Sequence, residues 1–308
     1  MEVRLSAAVS APRRRRGSHR ARRDALVFLA MALPNLILVG AFTYRPLIMN
    51  MYYSTLNWTL GSPSATIAGL GNYVRFFTSD AASTVLGTTA VFAVLTVGGS
   101  MVLGLLVALA LNTKVHGQTL ARASVFAPYV LSGVGVGLVW LFIFDPVYGV
   151  FAYVLRLFGT ASPRWFNDPT LSLVMVILVY VWKNLGYCAV VYLAGLQSLP
   201  ADVMEAASLD GAGPVRRFWH VSLPLLGPTT LFLLITTILS SLQAFDLIKI
   251  MTPTSEGTRT LIYEAYVQGF GAYQRAGYSA AISVILFVIL ITLTIVQIAW
   301  VDRKVHYA

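Results

Sequence analysis

The feature that most constrains this chain is a set of six long apolar runs, at about residues 25–44, 84–111, 123–144, 170–197, 225–247 and 277–301. A hydrocarbon core about 30 Å thick takes about 20 helical residues to cross, and every run meets that length. Runs this long and continuous are not the alternating ten-residue segments of a membrane barrel. Composition agrees: 57% hydrophobic residues, 11% charged residues and a mean hydropathy of +0.74 leave too little polar surface to cover 308 residues in water. The expected fold is all-α, a polytopic membrane protein with six transmembrane helices over residues 25–302. It is flanked by a basic extension at 1–24 and a short tail at 303–308.

Seven arginines crowd into Arg13 to Arg23, directly before the first run. In a chain with a net charge of +10 this cluster suits anionic lipid headgroups and topology control better than base readout, so membrane lipid is expected as a partner and nucleic acid is not. A basic segment followed by an apolar one also describes a signal peptide. Here the run is long for a signal core, contains Pro34 and continues into "FTYRPL" without a small-residue cleavage site, so it reads as a retained span. With the N-terminus inside, the inner segments carry 14 lysines and arginines and the outer segments 7, leaving Lys183 within a run. That bias predicts both termini, and the segment 201–224, on the cytoplasmic side.

Motifs of autonomous chemistry are missing from the sequence. The glycine-rich stretches "SGVGVGL" and "GGSMVLG" lack the Gly-Lys-Ser/Thr of a phosphate-binding loop, so no ATP is expected on this chain. Gly133 and Gly137 read instead as a small-xxx-small packing surface for a neighbouring helix. No His-Glu-x-x-His or Gly-x-Ser-x-Gly occurs, and the four histidines are scattered over four inner segments. The single cysteine, Cys188, reads as a small packed side chain, with no metal-ligand spacing around it. No catalysis and no metal are expected.

Ionisable groups inside the runs are few, and each is expensive in hydrocarbon. Lys183 lies within the fourth run, followed by Asn184 and Tyr187, while Gln243 and Asp246 lie near the outer end of the fifth. Residues 183 and 187 share a helix face, as do 243 and 246. Lys183, Asn184, Tyr187, Gln243 and Asp246 are therefore the candidate lining of a substrate path, with Asp246 placed to neutralise Lys183. The competing reading of Lys183 is a snorkelling or helix-bonded lysine. There is no relay of buried carboxylates and no pair of broken helices, the features expected of a stand-alone carrier.

Between the fourth and fifth runs stands "EAASLDGAGPVRRFWHVSLP", a charged segment in a mostly apolar chain. Pro200 starts a first short helix, Asp202 and Glu205 suit its positive end, and Gly211 stops it in a left-handed cap. Gly213 and Pro214 start a second, with Val215, Phe218, Trp219 and Ser222 on one face and Arg216, Arg217 and His220 on another. Ala207 and Gly211, four apart, leave a nearly bare face that a partner can approach closely. The alternative is an interfacial loop whose aromatic residues dip into lipid.

Glu205, Ala206, Ala207, then Gly211, then Val221, Leu223 and Pro224 keep the spacing of the EAA motif, in which three residues separate EAA from Gly and nine separate Gly from Ile-x-Leu-Pro. By this pattern the chain resembles the permease subunits of binding-protein-dependent ABC importers, with valine at 221 in place of isoleucine. "YVWKNLGYCAVVYLAGLQSLPADVMEAASLDGA" and "AGYSAAISVILFVI" resemble the carbohydrate-uptake branch, and "FAPYVLSGVGVGLVWLFIFDP" looks most like the first permease subunit of sn-glycerol-3-phosphate importers. The resemblance covers residues 25–302.

It implies a type I importer fold in a bacterial plasma membrane, with Glu205, Ala206, Ala207, Gly211, Leu223 and Pro224 forming a coupling helix that docks into a cytoplasmic ATPase. It further implies a second homologous permease, two ATPase subunits that carry ATP and magnesium, and an extracytoplasmic substrate-binding protein. The implied substrate is sn-glycerol-3-phosphate or a glycerophosphodiester; a di- or oligosaccharide is the alternative. After "IKIMT" the branch often has Gly-Gly-Pro, where this chain has "PTSEGTRT", a change in a loop expected to lie outside.

Overall fold

The computed structural model describes residues 18–112 and 117–301. The chain divides into a unit over residues 1–52 and a second over residues 53–308. In the first, α1 (Ser18–Val39) passes through one π-helical turn (Gly40–Tyr44) into α2 (Arg45–Ser54). The apolar stretch Arg23–Ser54 is thus 32 residues long, ten residues beyond the predicted end of the first run. Pro46 explains the π turn. Its ring crowds the preceding turn and it has no N–H to donate, so the helix widens just before it and the Arg45 N–H reaches back to the Gly40 carbonyl. Leu26, Phe28, Met31, Leu36 and Phe42 all point outward, as hydrocarbon-facing side chains do. The arginine cluster at 13–16 lies outside the described residues.

The second unit opens with a two-residue antiparallel pair, β1 (Leu56–Asn57) with β2 (Thr66–Ile67), and a short α3 (Gly71–Phe77). Its axis is the pair α4 (Asp80–Leu111) and α8 (Pro169–Gln197), each one uninterrupted helix through its apolar run. They approach closely because Gly104 has no side chain: a Cβ there would stand 2.5 Å from Cys188 Cβ. Cys188 is buried in this contact, as a packed side chain should be. Two residues earlier on α8, Gly186 lies against α5 (Gln118–Val130), where any Cβ would collide with the Val125 carbonyl oxygen.

One of the predicted spans is broken and another is interrupted. The third run forms α5 and α6 (Gly133–Ile143), bent by 98° across the extended residues Leu131 and Ser132. The fifth forms α12 (Gly227–Leu242) and α13 (Asp246–Met251), separated by residues 243–245. Five helices, or six spans if the bent pair counts as one, are long and apolar enough to cross a membrane among the described residues. Only the third run is sharply bent; the fifth runs on as one span, 227–251, with a non-helical interval at 243–245, and the two interrupted runs meet in this unit. They pack on each other through the Gly133 and Gly137 face. A Cβ at Gly133 would stand 3.1 Å from Asp246 Cβ, and one at Gly137 would stand 2.9 Å from Ile250 Cγ2. Contacts that advance by four residues on both sides mean that α6 and α13 run in parallel, with their N-termini at the same level.

The remaining elements are α7 (Val150–Leu157) after α6, then α9 (Ala201–Leu209), α10 (Pro214–Arg217), a π turn (Phe218–Ser222) and α11 (Leu223–Leu225) after α8. Beyond α13 come a single 3-10 turn (Glu256–Thr258), α14 (Leu261–Phe270) and the last long helix, α15 (Ala276–Val301). One apolar cluster joins Val136 of α6 and Phe144 just after it, Met175 and Val179 of α8 and Ile248 and Met251 of α13. Another, toward the far end of α8, joins Cys188, Tyr192 and Leu196 to Ala108 and Leu233. The break region lies between these clusters.

Candidate functional site

The break and the interruption open onto one cavity of about 250 Å³, midway along α8. Its polar wall is Lys183 and Asn184 from α8, Ser240 and Gln243 from the end of α12, and Asp246 from the start of α13. Four of the five residues singled out as path candidates thus surround one space, brought there from the fourth and fifth runs. Tyr187 does not reach it. Its ring stacks on Tyr129 with centroids 4.9 Å apart, and its hydroxyl donates to Thr236 Oγ1 at 3.4 Å, at the edge of a narrow adjoining crevice.

The charged pair is not arranged as expected. Among the described residues no ion pair joins Lys183 to Asp246. Lys183 Nζ instead donates to the Tyr129 carbonyl at 2.8 Å and lies 5.4 Å from the centre of the Tyr129 ring. The physical reason is the break. Because α5 ends at Val130, the Tyr129 carbonyl has no N–H four residues on within its helix, and the negative end of α5 is exposed to a cation. Asp246 sits by the opposite kind of terminus: its Oδ2 lies 3.2 Å from where a Cβ of Gly133, the first residue of α6, would be. A carboxylate there faces the positive end of α6, so each half of the broken span has a side chain of opposite charge at its exposed end. Asn184 Nδ2 is turned back to the Tyr180 carbonyl at 2.8 Å, which leaves its Oδ1 as the acceptor.

The segment after α8 folds as its spacing predicts. α9 starts after Pro200 and ends with Gly211 at φ +77°, where a residue with a side chain is strained. The Gly211 N–H donates to the Ser208 carbonyl and the Ala212 N–H to that of Ala207, both at 3.1 Å, the paired bonds that close a helix on a left-handed glycine. Arg217 Nη1 donates to Ser208 Oγ at 2.7 Å and ties α10 back to α9. Glu205, Ala206 and Gly211 are exposed and Ala207 is half-buried. Of the predicted apolar face on the second helix, only Ser222 is buried; Val215 and Trp219 stand outward. Leu223 and Pro224 follow a second π turn, in which the Leu223 N–H reaches the Phe218 carbonyl.

Residues 100–307 match the profile of the family described as "Binding-protein-dependent transport system inner membrane component". The chain belongs to this family. It is 37% identical over 92% of its length to the sn-glycerol-3-phosphate transport system permease protein UgpA of Agrobacterium fabrum, covering 96% of that relative. It is 35% identical over 92% of its length to the protein of the same description from Rhizobium meliloti, covering 96% of it. In fold it matches a bacterial ABC transporter involved in the import of the acidic polysaccharide alginate. The TM-score is 0.81 at 22% identity, over 94% of this chain and 99% of that one. This family member is a multi-pass inner-membrane permease component with the all-α permease fold.

Sequence reasoning missed Tyr129, Ser240 and the packing of Asp246 against Gly133. Pro128 followed by Ser132 and Gly133 was the available signal, since proline and a serine-glycine pair punctuate helices even in apolar runs. Among the described residues no group of three or more metal-ligating side chains converges.

Proposed function

We propose that this chain forms one half of the translocation path of an ATP-driven importer, carrying sn-glycerol-3-phosphate or a glycerophosphodiester delivered by an extracytoplasmic binding protein. The observation that carries this reading is the cavity itself. Lys183 offers positive charge, Gln243 and Ser240 offer donors, and all stand midway through the helical bundle, where an anionic headgroup needs them. The names of relatives 32–37% identical to the chain support the substrate. The lining also fits a di- or oligosaccharide, whose hydroxyls the same amides would bond.

On this reading a second homologous permease supplies the facing wall, and two ATPase subunits bind ATP and magnesium. Both termini and the 201–224 element are cytoplasmic. Glu205, Ala206, Ala207 and Gly211 dock into the ATPase, with Leu223 and Pro224 leading into α12. The capped, exposed and nearly bare α9 suits such docking. A structure similar in fold contains an alginate pentasaccharide-bound periplasmic protein, which supports an external binding protein as the donor here.

The test is reconstitution of the full complex in liposomes. Uptake of sn-glycerol-3-phosphate, dependent on the binding protein and on ATP, supports the assignment. Uptake of maltose or trehalose alone moves it to the sugars, and transport by this chain alone overturns the importer reading.

A further inference from the structure

We infer that Lys183 is a positioning residue as well as part of the path, coupling the arrival of an anion to the broken third span. This rests on the importer reading above. The bond from Lys183 Nζ to the Tyr129 carbonyl crosses from α8 to the last turn of α5. It satisfies an acceptor that the break at Leu131 and Ser132 orphans. Lys183 also lines the cavity. A phosphate oxygen that enters the cavity is a stronger partner for it than a neutral carbonyl, because two opposite full charges attract each other strongly away from bulk water. Anion and carbonyl therefore compete for one ammonium.

The competition has a mechanical outlet. The two halves of the third span are held by different neighbours: α5 by α8, at Gly186 and Lys183, and α6 by α13, at Gly133 and Gly137. When the anion draws Lys183 away, the end of α5 loses a charged bond to α8 while α6 keeps its contact with α13. The two extended residues between the helices are the natural place for the resulting change in angle. Asp246, at the start of α6 and α13, stays with the half that does not move. In the empty cavity Lys183 thus latches the span, and an anionic substrate releases it.

The experiment uses the assembled complex in liposomes with its binding protein, with and without sn-glycerol-3-phosphate. Lys183→Met removes latch and charge together. ATP hydrolysis without substrate should rise about fivefold or more, the lower end of ordinary coupling between sites, and stimulation by the loaded binding protein should vanish. Lys183→Arg keeps charge and donors and should restore coupling toward that of the wild type. A side chain that only bound substrate would lose stimulation without raising the substrate-free rate, and that result overturns the latch.

If Lys183→Met does not assemble, the decision passes to Ser132→Cys in a Cys188→Ala background with Lys183 intact. The rate of labelling by a polar maleimide should change severalfold when the loaded binding protein is added, and an unchanged rate overturns the inference. Failure of the importer reading looks different: the wild-type complex then takes up no phosphate ester at all.

Discussion

The element at 201–224 and the central cavity are built in opposite ways. Every determinant of the first lies within 25 consecutive residues, 200–224: a proline start, a glycine at φ +77°, and one arginine tied back to a serine nine positions earlier. The cavity draws on residues as far apart as Gly133 and Leu247, and its shape depends on two helices that stop in mid-run. A local device can be changed without disturbing the rest, whereas a cavity formed by interruption shares its residues with the packing around it. Substitutions should therefore separate function from folding in the first region and mix them in the second.

The largest effect is expected in the packing beside the cavity. Gly186→Leu forces a side chain into the Val125 carbonyl and should cost about 3 kcal/mol or more of stability, seen as loss of monodisperse protein in detergent. If the variant is stable, the close approach of α5 to α8 is wrong. Next come Gly211→Val and Glu205→Lys. Each should reduce uptake about a hundredfold or more; Glu205→Lys should leave the melting temperature unchanged, whereas Gly211→Val also strains the left-handed cap and should lower it slightly. A variant of either kind that transports normally with its ATPase bound breaks the docking assignment.

A reporter fused within residues 213–217 should read as cytoplasmic and one within 162–167 as external, and the reverse removes the coupling role. Smaller again, Gln243→Ala should raise KM for uptake about tenfold with little change in kcat, as expected for the loss of one hydrogen bond to a charged group. The smallest is Arg217→Ala, which loses the bond to Ser208 and should cost about 1 kcal/mol in the stability of the element, read by local hydrogen exchange.

The same contrast explains what the sequence made legible. The six apolar runs and the capped segment follow from spacing alone, because helix periodicity and glycine caps act between near neighbours. The break at Leu131 and Ser132 could not be read that way. In an apolar run Ser132 and Gly133 fit a continuous span equally well, and what stabilises the break is a lysine 54 positions away, which supplies the bond that the stopped helix lacks. Lys183 was legible as costly, and so worth keeping, but its partner was not. Tyr187 was misplaced for a related reason: sharing a helix face with Lys183 did not bring it to the cavity, because Tyr129 covers its ring.

The π turn ahead of Pro224 carries one more implication. Such a turn accommodates one residue beyond the regular helical count, and each residue in a helix stands for about 100° of rotation. The helical stretch from Pro214 through the π turn to Leu225 therefore sets a rotational phase between α10 and the start of α12. Removing a single residue from Phe218–Ser222 would keep the exposed face of α9 unchanged, yet is expected to turn α12, with Ser240 and Gln243, by about 100° relative to α10. The interval is thus an angular gauge, and the extra residue in the turn is the increment that sets it.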